Sequence, residues 1–134
     1  MTQHATGPFE VKIGPLEPYN SDPEAGLGRM SIDKQFHGTL EATSKGEMLC
    51  TAYKPGGSAG YVALERVSGT LAGRRGTFVL QHSSLMMRGA AEQNIFVVPD
   101  SGTGELEGLS GRMTIDIAQG GAHSYRFDYS FASA

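Results

Sequence analysis

Glycine interrupts this chain at short, fairly even intervals, and that spacing constrains the fold more than any other feature. Nineteen of the 134 residues are glycine, about twice the usual ~7%, with no collagen-like period. They gather at Gly14, Gly26 and Gly28, Gly46, Gly56 and Gly57, Gly73 and Gly76, Gly89, Gly102 to Gly111, and Gly120 and Gly121. The segments between them have the lengths of short antiparallel strands joined by tight turns. The spacing predicts eight strands, over residues 4–13, 29–43, 47–54, 59–72, 76–85, 91–98, 111–118 and 123–132.

The side chains agree with strands. In the last segment Tyr125, Phe127, Tyr129 and Phe131 fall on one face while Ser124, Arg126, Asp128 and Ser130 fall on the other. That is the pattern of a strand with one buried face. Met113, Ile115 and Ile117 alternate with Arg112, Thr114 and Asp116, and Phe9, Val11 and Ile13 with Glu10 and Lys12. The one helical candidate, residues 104–109, is weakened by its glycines. Eight sequential strands with short connections suggest an up-and-down meander, and closure removes its two unpaired edges. The expected fold is therefore one all-β domain over residues 1–134, a closed eight-stranded antiparallel barrel. Such a barrel is filled by side chains or holds one small ligand. The proline-rich, acidic stretch 15–27 is long enough to serve as a lid over one mouth.

Composition excludes several classes of function. Eleven Lys and Arg against fourteen Asp and Glu give a net charge of −3, and no basic run exceeds Arg74-Arg75, so no nucleic-acid partner is expected. A lone Cys50 excludes an internal disulfide. No window reaches the ~18 apolar residues of a membrane span, and the first ten residues lack the pattern of a signal peptide. No membrane association and a cytoplasmic location are expected.

A hairpin centred on Arg74 and Arg75 would place Val67 opposite His82 and Glu65 opposite Ser84. In that register Glu65 and His82 are diagonal neighbours on the inward face, together with Tyr61, Ala63, Phe78 and Leu80. An enclosed carboxylate and imidazole perturb each other's proton affinity and can move protons, which makes Glu65 and His82 the catalytic candidates. Lys34 is in phase with Met30, Ile32 and Phe36, so it either enters the same cavity or snorkels to the rim. Tyr61, Lys34, Phe78 and Leu80 are the ligand-binding candidates.

Other motifs carry less. Gly56-Gly57-Ser58-Ala59-Gly60 fits the serine-hydrolase pattern, yet a strand rather than a helix follows it. Residues 101–108 resemble a phosphate-binding loop but lack its spacing and its lysine. His4, His37, His82 and His123 are too far apart for a local metal motif, although His37, His82 and Glu41 could meet in a barrel. Neither metal nor cofactor is expected. Cys50 reads as a small core residue, and Met86-Met87 as lying near a turn.

The chain resembles a bacterial family of unknown function in the allene oxide cyclase barrel-like superfamily. Residues 6–12, Phe36-His37-Gly38-Thr39-Leu40-Glu41, 60–66 and 69–74 carry the likeness, together with 76–82, 97–106 and Gly108-Leu109. The resemblance implies the same closed meander barrel, a cytosolic protein and no assigned reaction, and oligomers occur in barrels of that superfamily. Allene oxide cyclases bind a fatty-acid epoxide in an apolar cavity, but no cyclase catalytic residue matches a position here. Two functions are therefore expected to compete. One is a barrel that binds a small, largely apolar molecule, with cyclase- or isomerase-type proton transfer. The other is a non-catalytic barrel with a filled interior, acting as a homo-oligomer or through a partner.

Overall fold

The computed structural model describes residues 1–51, 57–88 and 90–132. Eight strands follow one another: β1 Gln3–Leu16, β2 Leu27–Phe36, β3 Leu40–Thr51, β4 Ala59–Leu71, β5 Arg74–Met87, β6 Ala90–Val97, β7 Leu109–Ile117 and β8 His123–Phe131. Each pairs antiparallel with the next, and β1 pairs with β8, so the meander closes into an eight-stranded barrel. A single 3₁₀ turn, Gly104–Leu106, interrupts the β6–β7 connection. Among the described residues no helix is long and apolar enough to cross a membrane.

Alternation puts the apolar set inside. Phe9, Phe36, Leu40, Val67, Leu71, Phe78, Leu80, Ile95, Met113 and Phe127 are buried, and the rings of Phe78, Phe127 and Tyr129 stack in succession at centroid spacings of 5.8 and 5.3 Å. Leu106 of the 3₁₀ turn plugs this end of the barrel. Toward the other end the inward residues Met30, Met48, Cys50, Tyr61, Ser84 and Met86 are only half-buried.

Two turns differ from the sequence reading. The expected strand 29–43 is broken at His37–Thr39, where Gly38 has φ +98°, a conformation that costs glycine little and other residues much. Gly46, read as the turn, instead lies in the middle of β3 opposite Glu65. A Cβ there would stand 2.1 Å from the Leu64 carbonyl oxygen and 2.6 Å from Glu65 Cα, so this glycine serves close approach of two strands. The β4–β5 hairpin turns at Ala72-Gly73, with φ +49° and +85°, and not at Arg74-Arg75. Consequently Ala63, not Val67, faces His82, and Leu80, not Ser84, faces Glu65. The slip is an even number of residues, so every side chain keeps its face. The first strand runs on to Leu16 through pairs with Arg29, Met30 and Ser31, which shortens the long loop to 17–26. The expected end of the third strand, residues 52–54, and Gly56 of the serine motif lie outside the described residues.

Candidate functional site

Four consecutive strands each send one polar side chain into the barrel: Lys34 from β2, Ser44 from β3, Glu65 from β4 and His82 from β5. Lys34 and Ser44 are directly opposite across β2 and β3, and Gly46 draws β3 against Glu65. All four are buried. Lys34 Nζ donates to Glu65 Oε2 at 2.8 Å, His82 Nε2 meets the same oxygen at 2.5 Å, and Ser44 Oγ donates to Oε1 at 2.9 Å. The Lys34 ammonium also lies 5.4 and 5.7 Å from the ring centroids of Phe9 and Phe36, within range of a cation–π attraction.

Burial by itself would raise the Glu65 carboxyl. The hydrogen bond from His82 and the charge of Lys34 more than reverse this, and its pKa falls from 4.5 to about 2. An ionised carboxylate only accepts hydrogen bonds, so the proton facing it sits on His82 Nε2. Its oxygens are thus occupied by three donors, and its side chain is 0% exposed. A general base works best with a pKa near the working pH and within reach of a substrate proton. A carboxylate held at about 2 and closed to solvent meets neither condition.

Among the ligand-binding candidates, Lys34 points inward but is held by Glu65, and Phe78 and Leu80 are fully buried in packed core. Tyr61 is half-buried, and its hydroxyl accepts a hydrogen bond from Gln93 Nε2 at 3.0 Å. His37 stands exposed at the β2–β3 turn between Glu10 and Glu41, each at 3.3 Å, whereas His82 is inside the barrel. Among the described residues no three His, Cys, Asp or Glu side chains are placed to hold a metal ion. Ser58 is exposed and accepts a hydrogen bond from the Arg88 amide at 3.3 Å. Cys50 is half-buried, and Met86 and Met87 end β5 just before the turn at Arg88.

Sequence reasoning missed Ser44, because it placed a turn where β3 continues. The alternation Leu40, Ala42, Ser44 carries the missing signal once Gly38 is taken as the turn. It also missed the outer wall. Leu27, Leu49, Val62, Leu64 and Leu85 point outward and are 52–65% exposed. They adjoin one another, Leu49 facing Val62 across β3 and β4. Two cavities run along this wall. One, of about 660 Å³, lies beside the 17–26 loop and is lined by the outward Leu27, Leu49, Val62 and Leu85 with Pro18 and Tyr19. It reaches the inward Cys50, Tyr61 and Ser84 at the half-buried end of the barrel, and Asn20, Ser83, Glu92 and Asn94 are among its polar groups. The next, of about 560 Å³, shares Leu49 and Val62 and adds Arg29, Glu47, Leu64 and Gln81.

The fold and much of the sequence recur in a known protein. A family model described as a protein of unknown function (DUF3224) matches residues 5–129. The chain belongs to the DUF3224 family. A crystal structure of a DUF3224 protein of unknown function from Shewanella oneidensis MR-1 is 49% identical, covers 100% of both chains and superposes with a TM-score of 0.91. The two chains share the whole barrel and not a fragment of it. No curated protein matches the chain.

Proposed function

We propose that this DUF3224 barrel is a binding protein for a small, largely apolar molecule, which it takes on the outer wall beside the 17–26 loop and not in the barrel interior. The observation that carries this is the 660 Å³ groove, within the ~300–1,000 Å³ range of ligand sites and lined mainly by apolar side chains with a few polar ones. The packed end of the interior offers no comparable opportunity. Its polar groups satisfy one another, and Phe78 and Leu80 fill the space a ligand would need. The Lys34–Glu65–His82–Ser44 cluster is then scaffold, and cyclase- or isomerase-type proton transfer by Glu65 and His82 is disfavoured. An allene oxide cyclase-like reading of the barrel rests on strand number and meander order, and a likeness of fold alone carries neither ligand nor reaction across.

Titration with the neutral fluorophore N-phenyl-1-naphthylamine tests the site. Saturable binding that Leu85→Arg weakens at least about tenfold is expected, the loss of roughly one well-buried apolar contact plus a desolvated charge. Non-saturable binding, or binding indifferent to Leu85→Arg, sinks the proposal.

A further inference from the structure

The wall is too exposed to bury a ligand alone. Well-formed sites cover ~70–90% of a small ligand's surface, yet the five aliphatic residues here are 52–65% open to solvent. The 17–26 loop borders the groove through Pro18, Tyr19 and Asn20 but does not cover it, and Tyr19 stays fully exposed. We infer that a second copy of this chain packs against the β3–β4–β5 wall, with Leu49, Val62 and Leu64 at the centre, and that the ligand groove lies at the seam between the two copies. The ligand half of this inference rests on the function proposed above; the dimer half stands on the wall itself.

Three features select a second copy over another occupant. The five aliphatic side chains expose roughly 500 Å² together, toward the upper end of the ~300–600 Å² typical of the largest patch on a monomer. Set in the ~800 Å² that each partner of a standard interface buries, they make a face about as apolar as homodimer interfaces are. The patch carries little charge, with Arg29 and Glu47 bonded to each other at 2.6 Å, Gln81, Ser83 and Asn94 around them, and Glu92 as the one further charged residue lining the groove. A chain of net charge −3 therefore meets little repulsion from its own copy across this face, and a strongly charged partner finds little there to select it. Finally, outward side chains on neighbouring strands form a broad surface that a twofold axis can pack face to face, sheet on sheet, with the same patch on both sides.

Leu64 makes the test specific, because it lines the second cavity and not the ligand groove. Light scattering on the wild-type chain should give about 28 kDa, twice the 14.2 kDa protomer, at protomer concentrations of ~50 µM. Leu64→Glu should give a folded monomer by far-UV circular dichroism. Thr70→Glu, also outward on β4 but in its last turn-ward residues, should leave the dimer intact. The monomeric Leu64→Glu variant should also bind N-phenyl-1-naphthylamine at least tenfold more weakly. A monomeric wild type, or an oligomer that Leu64→Glu leaves whole, overturns the dimer. Undiminished probe binding by the Leu64→Glu monomer overturns the seam. A dimer that Leu64→Glu splits but that never binds the probe supports the interface and overturns the ligand reading.

Discussion

Glu65→Gln preserves the shape of the buried cluster and removes its negative charge, leaving Lys34 with a side chain 6% exposed and no counter-ion. Breaking a buried ion pair from one side costs about 3–5 kcal/mol, most of it the desolvation of the charge left behind. Titration gives a similar size: a carboxyl at about 2 in place of 4.5 corresponds to about 3 kcal/mol. With an unfolding entropy of about 2.1 cal/mol/K per residue, 3–5 kcal/mol lowers Tm by roughly 10–18 °C for a chain of this length. The sign with pH follows from the lowered carboxyl. Its stabilisation is complete above about pH 4.5 and is lost as the pH falls toward 2, so the wild type approaches the variant in acid. Urea denaturation at pH 7 and pH 3 reads both effects. A difference below about 1 kcal/mol at pH 7, or one that does not shrink by pH 3, would refute the account of the cluster. The double variant Lys34→Met/Glu65→Gln should recover to within about 1 kcal/mol of wild type, because its amide can accept from His82 and face Ser44 with no charge left unpaired.

Other substitutions test the remaining structure. Gly46→Ala should destabilise by about 3 kcal/mol or more in thermal melts, since its Cβ would meet backbone atoms of β4 that cannot step aside. Phe78→Ala should cost about 3–5 kcal/mol as a core truncation; a cost below 1 kcal/mol would mean that Phe78 lines open space after all. Tyr125→Phe should cost about 1–3 kcal/mol by urea denaturation, because the hydroxyl accepts from the Leu40 amide at 2.9 Å and donates to the His37 carbonyl at 2.8 Å, tying the β2–β3 turn to β8.

Strand number and barrel closure were legible because period-two alternation survives errors of turn placement. The aromatic face of β8 and the inward set of β5 depend only on parity. Glu65 and His82 met for the same reason: the true hairpin at Ala72-Gly73 moves the register by an even number of residues, exchanging one diagonal for the other. Ser44 was hidden because two glycines exchanged meanings. Sequence alone does not distinguish a glycine that turns, such as Gly38, from one that admits a neighbouring backbone, such as Gly46. The disposition of Lys34 was open for another reason, since its long stem permits either snorkelling or burial, and only the position of Glu65 decides between them.

At Val62, Leu64 and Glu65 strand β4 inverts the ordinary rule of inside and outside, and the inversion separates stability from function. Glu65 points into the barrel while Val62 and Leu64 point out. A buried ion pair rarely stabilises more than well-packed apolar side chains would, so folding alone gives no reason to keep the carboxylate inside and the aliphatics outside. A strand selected only for its core would place them the other way round. The outward face of β4 is continuous with Leu49 on β3 and Leu85 on β5, so the inverted residues form a surface and not an isolated exception. Such a surface gains from being covered, and the gain is available only when something else supplies the cover. The protein's chemistry is therefore to be sought in what covers that wall.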